Sequence, residues 1–216
     1  MSKSRILWGV GTSRTIRAHW ALIELKLSYK TEIIRTRTPD TETAAFKSVN
    51  PRQKIPVLQD GTLTMGESAA IVTYLAESYS TEQVSLIPDN PKARAKYFEW
   101  MSFICMELDA TSLYVLRRHW SLPEIYGDSP IANKASEEYF NRMITAADKL
   151  KNPKQKYLLE TGFSGVDILM TTTLKWAIDY NQKIPNDFME YLDHMVNRPG
   201  YICLLYTSPS PRDQSG

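Results

Sequence analysis

Apolar residues stand at Ile16, Trp20, Ile23 and Leu27, spaced four, three and four apart, which predicts an amphipathic helix within the run Thr12 to Lys30. Ile6 to Trp8 precedes it as a short buried strand, and Gly9 and Gly11 loosen the chain between the two. Tyr29 to Ile34 alternates as a second strand, followed by a helical link from Glu42 to Lys47. Two short apolar runs, Lys54 to Leu58 and Thr62 to Met65, flank Asp60-Gly61, a dipeptide that signals a tight hairpin turn. Glu67 and Ser68 then supply the polar start of a helix whose face carries Ala70, Ile71, Tyr74 and Leu75.

Strand, helix, strand, helical link, hairpin and helix is the order of a thioredoxin-like domain, assigned to residues 1–80. Residues 81–90 are polar, close on Pro88-Asp89-Asn90-Pro91, and read as a linker. Beyond them the helical patterns Lys92 to Trp120, Ala135 to Lys151 and Gly165 to Tyr180 predict an all-α domain over residues 91–202. The predicted fold is therefore α+β, a thioredoxin-like βαβ-α-ββα domain followed by an all-helical one. Within the second domain Ser164 and Asp167 have the spacing of a capping box, with Phe163 and Ile168 placed for a hydrophobic staple. Such a cap is a folding device worth about 1 kcal/mol. Residues 203–216, beginning CLLYTSPSPRD, break abruptly from this pattern. They read as the translation of a sequencing adapter, with a natural Ser/Pro tail as the alternative.

At 216 residues and 43% hydrophobic content the chain suits one large domain or two small ones. A net charge of +2 without a basic cluster gives no case for nucleic acid or an anionic membrane. The mean hydropathy of −0.35, no spanning apolar run and no signal-peptide core at the start make a cytoplasmic address the expectation. Setting the tail aside leaves Cys105 as the one cysteine, which excludes a disulfide framework and a Cys-x-x-Cys redox centre. His19, His119 and His194 fall on different predicted elements, so no metal site is expected.

The ordered set NPRQKIPVLQDG and ESAAIVTYL, residues 50–61 and 67–75, closely resembles the glutathione-binding half of the cytosolic glutathione transferase family. The resemblance extends over about residues 5–200, with its specific motifs in the first domain. In thioredoxin-like redox proteins the loop after the first strand carries reactive cysteines; here Thr12, Ser13 and Thr15 stand there instead. A helix N-terminus favours an anion, so the thiol is expected to belong to the ligand. Ser13 fits the family's Ser-Arg-Ser/Thr-x-Arg pattern and is the first choice for the hydroxyl that stabilises a glutathione thiolate. Thr12 matches the register of the serine-type theta and delta classes, and Thr15 that of the tau and zeta classes. Read alone, Ser13 or Thr12 is equally a plain helix N-cap. Arg14 and Arg17 in the same turns either balance a bound anion, pair with an acid, or stand in solvent; the last is the ordinary case.

The resemblance implies anchors for the tripeptide. Glu67 would pair with the γ-glutamyl ammonium, and the hydroxyl and amide of Ser68 with its carboxylate. The backbone of Ile55, exposed by a cis peptide to Pro56, would bind the cysteinyl unit. Gln53, with Arg52 or Lys54, would reach the glycyl carboxylate. A second substrate is expected between the domains against Met101, Cys105, Leu108, Ser112, Tyr114, Arg117 and Arg118, although Met101, Cys105 and Leu108 at helical spacing equally read as core. The resulting reading is a glutathione transferase that uses glutathione as co-substrate against a small electrophile, without metal, and as a homodimer by family habit. The alternatives are another glutathione-dependent enzyme, such as an isomerase, dehalogenase or peroxidase, and a non-catalytic interaction module on the same fold.

Overall fold

The computed structural model describes residues 4–207, and the chain divides into two compact units. Residues up to Ile87 and residues from Asn197 onward make the first; Pro88–Val196 makes the second. The nine residues from 208 belong to the tail expected to be adapter-derived and lie outside the described residues.

The first unit is built on a four-stranded sheet, β1 (Arg5–Trp8), β2 (Lys30–Glu32), β3 (Val57–Asp60) and β4 (Leu63–Gly66), in the order β2-β1-β3-β4. β2 runs parallel to β1, and β3 antiparallel to both β1 and β4. Helices α1 (Ser13–Glu24), α2 (Ala44–Val49) and α3 (Ser68–Tyr79) complete the predicted order. Strand alternation sends neighbouring side chains to opposite faces. On one face Trp8, Ile55 and Val57 pack with Ile34 and with Phe46 of α2. On the other, Asp60 at the end of β3 accepts hydrogen bonds from both Tyr74 and Tyr79 of α3. The Arg5 guanidinium lies 3.4 Å from the same carboxylate and 4.3 Å over the Tyr79 ring. Asp60 thus fastens sheet to helix, a role the turn signal alone does not reveal.

Several boundaries differ from expectation. α1 ends at Glu24 because Lys26 turns to φ +54°, and the Lys26 and Leu27 amides bond back to the Ile23 and Leu22 carbonyls. That pairing terminates a helix and puts Leu27 beyond it. β3 starts at Val57 rather than Lys54, and the two-residue turn is Gly61-Thr62, with Gly61 at φ +61° as a mirror-image hairpin turn requires. On α3 the buried apolar face is Ile71, Val72, Leu75 and Ala76, and Ala70 faces solvent.

The second unit is helical throughout its regular elements. α4 (Pro91–Phe103) runs on through Ile104–Leu113, where the turns widen to π spacing, a single α-turn α5 (Tyr114–Leu116) and a second wide stretch Arg117–Ser121. α6 (Pro123–Tyr126), α7 (Pro130–Leu150), α8 (Gly165–Asp179) and α9 (Asn186–Val196) follow. The Ser164–Asp167 capping box forms. Its carboxylate also accepts from the Leu158 amide at 2.9 Å and the Tyr191 hydroxyl at 2.9 Å, so one side chain joins the preceding loop, α8 and α9. Burial pushes the Asp167 carboxyl up to about 6, against the downward pull of its hydrogen bonds from Leu158, Tyr191 and Ser164.

The last helix, α10 (Pro199–Thr207), runs across residue 202, the expected end of the helical domain, and belongs to the first unit. It packs on α1: Tyr201 meets Trp20 edge-on at 4.9 Å, and Arg198 clamps Glu24 with bonds of 3.2 and 3.1 Å. A helical sequence pattern carries no information about which unit a helix joins. Here a bidentate ion pair and an aromatic contact decide it.

Candidate functional site in the first unit

The loop after β1 is held from three sides. The Gly9 and Val10 amides continue the parallel ladder to Glu32 and Ile34 at 3.0 and 3.1 Å. Gly9, at φ +113°, lies so close to Ile55 that an added Cβ would stand 2.6 Å from the Ile55 Cβ, so only glycine fits. Buried His19 bonds the Gly9 carbonyl through Nε2 at 3.1 Å and the Tyr29 hydroxyl through Nδ1 at 3.0 Å. Burial lowers the His19 pKa, which keeps the ring neutral. A carbonyl only accepts, so Nε2 carries the proton and Nδ1 accepts from Tyr29. Burial and the nearby Cys203 push Tyr29 up to about 12, keeping its hydroxyl a donor.

The three candidate hydroxyls separate at the start of α1. Thr12 caps the helix: its Oγ1 accepts from the Thr15 amide at 3.1 Å, and its own amide donates to Thr15 Oγ1 at 3.0 Å. Thr15 in turn donates to the Thr12 carbonyl at 2.8 Å and is fully buried. The two threonines therefore form a reciprocal capping box. Ser13, the first helical residue, is half-buried, and its hydroxyl has no hydrogen-bond partner among the described residues.

The tripeptide-binding candidates gather on the loop before β3 and the start of α3. Asn50 braces the loop, donating from Nδ2 to the Lys54 carbonyl at 2.7 Å, while its Oδ1 and backbone oxygen accept from the Arg52 and Gln53 amides. Gln53 sits at φ +53°, and the Ile55-Pro56 peptide is cis. Arg52 and Lys54 are exposed, Gln53 and Ile55 half-buried, and Pro56 buried. Glu67 takes φ +66°, a left-handed backbone rarely held by a non-glycine residue, immediately before buried Ser68 opens α3. Its carboxylate is paired with Arg52 at 3.1 Å, so two expected ligand anchors engage each other.

Arg17 corrects the ordinary reading of a solvated arginine. It is 1% exposed and donates from Nη1 to Ser68 Oγ at 3.3 Å. Arg17 stood in the sequence as one alternative for balancing an anion, whereas His19, Gly9 and Asn50, which brace the candidate site, were not singled out for it. For Arg17 the four-residue spacing from Ser13 was the available signal, since it puts both on one side of α1.

The expected second-substrate residues all lie in the second unit. Met101, Cys105, Tyr114 and Arg117 are half-buried, and Arg118 is exposed, stacked 5.1 Å from the Tyr114 and Tyr126 ring centroids. Leu108 is fully buried and is a core residue, as is Ser112, whose hydroxyl donates to the Glu107 carbonyl at 2.7 Å. For Leu108 this is the core reading that its helical spacing offered as the alternative to a pocket. Among the described residues no three His, Cys, Asp or Glu side chains gather as metal ligands would. Nor is any described helix long and apolar enough to cross a membrane.

Residues 13–78 match the family described as glutathione S-transferase, N-terminal domain. Glutathione S-transferase A of Pleuronectes platessa is 24% identical over 164 residues, covering 76% of this chain and 72% of the plaice protein. Glutathione S-transferase F14 of Arabidopsis thaliana is 36% identical over 85 residues, or 39% of this chain and 34% of the plant protein. Among solved structures, glutathione transferase URE2P8 of Phanerochaete chrysosporium with oxidized glutathione superposes with a TM-score of 0.81 at 19% identity, covering 99% of this chain and 97% of the fungal one. A theta class glutathione S-transferase of Xanthomonas axonopodis pv. citri with glutathione bound gives 0.77 at 23% identity, over 95% and 99%. Residues 13–78 therefore carry a glutathione S-transferase N-terminal domain, and the chain shares the fold of these solved glutathione transferases.

Proposed function

We propose that this protein is a glutathione transferase in which the Ser13 hydroxyl stabilises the glutathione thiolate. The observation that carries the reading is the division of labour among the three hydroxyls: Thr12 and Thr15 cap each other, and Ser13 is left at the positive end of α1. A free thiol has a pKa near ~8.5, and a donor to its sulfur favours the charged, nucleophilic form. The thiolate then attacks a small electrophile, forming the carbon–sulfur bond as the leaving group departs with the displaced electron pair. Thiolate stabilisation and proximity supply the acceleration.

In this reading Glu67 takes the γ-glutamyl ammonium and Ser68 its carboxylate. The Ile55 backbone beside Pro56 takes the cysteinyl unit, and Gln53 with Arg52 or Lys54 the glycyl carboxylate. Met101, Cys105, Tyr114, Arg117 and Arg118 form the electrophile-binding set of the helical unit. A homodimer and a cytoplasmic address complete the proposal on family grounds. A second reaction of the same thiolate, cis–trans isomerisation, is favoured by likeness to a Vibrio cholerae protein named probable maleylacetoacetate isomerase, 28% identical over 167 residues.

Calorimetric titration with glutathione, paired with ultraviolet titration of the bound thiolate, tests the reading on wild type and Ser13→Ala. Micromolar to millimolar binding with a lowered thiol pKa, restored towards its free value in the variant, is expected. A lowered pKa that survives in Ser13→Ala moves the role to another hydroxyl, and absence of binding by the folded protein leaves the interaction-module reading. Turnover of halogenated, peroxide and maleyl substrates then separates transfer from isomerisation.

A further inference from the structure

α1 carries two polar groups one helical turn apart, Ser13 and Arg17, and the second is buried to 1% exposure. Its Nη1 donates to Ser68 Oγ at 3.3 Å, across 51 positions of sequence, at the first residue of α3. Arg17 makes other contacts besides, but the one to Ser68 has a directional consequence. A guanidinium has donors and no acceptor, so it occupies a lone pair of the hydroxyl and cannot receive its proton. The Ser68 proton must therefore point elsewhere.

We propose that Arg17 is a positioning residue for the carboxylate end of the ligand: it orients Ser68 as a hydrogen-bond donor and places a positive charge behind it. The ligand group favoured is a carboxylate at the N-terminus of α3, where the helix dipole has the same preference. Arg17 does not touch the ligand; it acts through Ser68. This rests on the glutathione-binding reading and deepens it, because a single helix then serves both the thiol end through Ser13 and the α-carboxylate end through Arg17. A buried arginine that only tied α1 to α3 would lack this ligand selectivity.

The test compares binding of glutathione and of 4-aminobutyryl-cysteinylglycine, the same peptide without its α-carboxylate, to wild type, Arg17→Met, Arg17→Lys, Ser68→Ala and the Arg17→Met/Ser68→Ala pair. Arg17→Met is expected to weaken glutathione about tenfold, raising KM with little change in kcat, while binding of the analogue is unaltered. The double variant loses no more than the worse single one, because both act through one hydroxyl. Arg17→Lys, which keeps the charge, falls between wild type and Arg17→Met, and decides the matter if Arg17→Met does not fold. Equal losses for both peptides, additive losses, or unchanged selectivity in Arg17→Lys overturn the role of Arg17 and leave glutathione binding intact. Failure of wild type to bind either peptide overturns the binding reading and this inference together.

Discussion

Arg52 donates to the Glu67 carboxylate at 3.1 Å across the start of α3, fifteen positions apart in sequence. These are the two side chains expected to hold charges at opposite ends of a tripeptide, and here they pair with each other.

Their side chains are 57% and 73% exposed, which puts the pair in the class worth less than about 1 kcal/mol. Arg52→Ala is therefore expected to unfold within ~0.5 kcal/mol of wild type in urea. Glu67→Gln is expected to weaken glutathione about tenfold, with no effect on a peptide lacking the γ-glutamyl amino group. Equal loss for both peptides, read by calorimetry, would remove Glu67 from the ammonium role.

Ser13 and Thr15 should fail in different ways. Thr15→Val removes a buried capping hydroxyl and is expected to cost about 1–2 kcal/mol of stability without changing the bound thiol's pKa. Ser13→Ala should leave stability nearly untouched and lower kcat about a hundredfold, as loss of a donor to a developing anion does. Thermal melts and thiolate absorbance on the two variants distinguish them.

His19 predicts an acid limit. Its folded pKa lies below the ordinary 6.5 because it is buried, so in the window from 6.5 downward the unfolded chain binds the extra proton. Stability from this group is present above pH 6.5 and falls on acidification, by up to ~1.4 kcal/mol per pH unit. His19→Gln keeps a donor for the Gly9 carbonyl and cannot titrate. Its urea midpoint should vary less than wild type between pH 7 and 5; parallel curves would contradict the account.

Removing Asp167 strands the Leu158 and Ser164 amides and the Ser164 and Tyr191 hydroxyls. Asp167→Ala is expected to cost about 3–5 kcal/mol, and Asp167→Asn less because one acceptor oxygen remains. Denaturant unfolding measures this, and glutathione affinity of the folded fraction should be unchanged.

At the C-terminal helix, Arg198→Ala releases Glu24 and is expected to cost about 1–3 kcal/mol. Gly200→Ala should approach the same loss, since its Cβ meets the Glu24 side chain. Trp20 fluorescence reports both, because Tyr201 packs on its ring.

What the sequence alone determined is local. The existence of the β3–β4 hairpin, the Ser164–Asp167 cap and the order of elements in the first unit follow from turn chemistry and from spacings of two to four residues, which act within a single element. Which hydroxyl caps and which is left open is also a short-range matter, but the fold decided it, because Ser13 and Thr12 are equivalent as cap formers in sequence. The tertiary structure decided the rest. Arg17 is buried because α1 lies against α3 and brings it to Ser68. Asp60 became an anchor because strand alternation aims it at Tyr74 and Tyr79. α10 joined the first unit because Glu24 and Arg198, 174 positions apart, meet there. Such contacts depend on where the chain returns in space, and periodicity along the chain does not encode it.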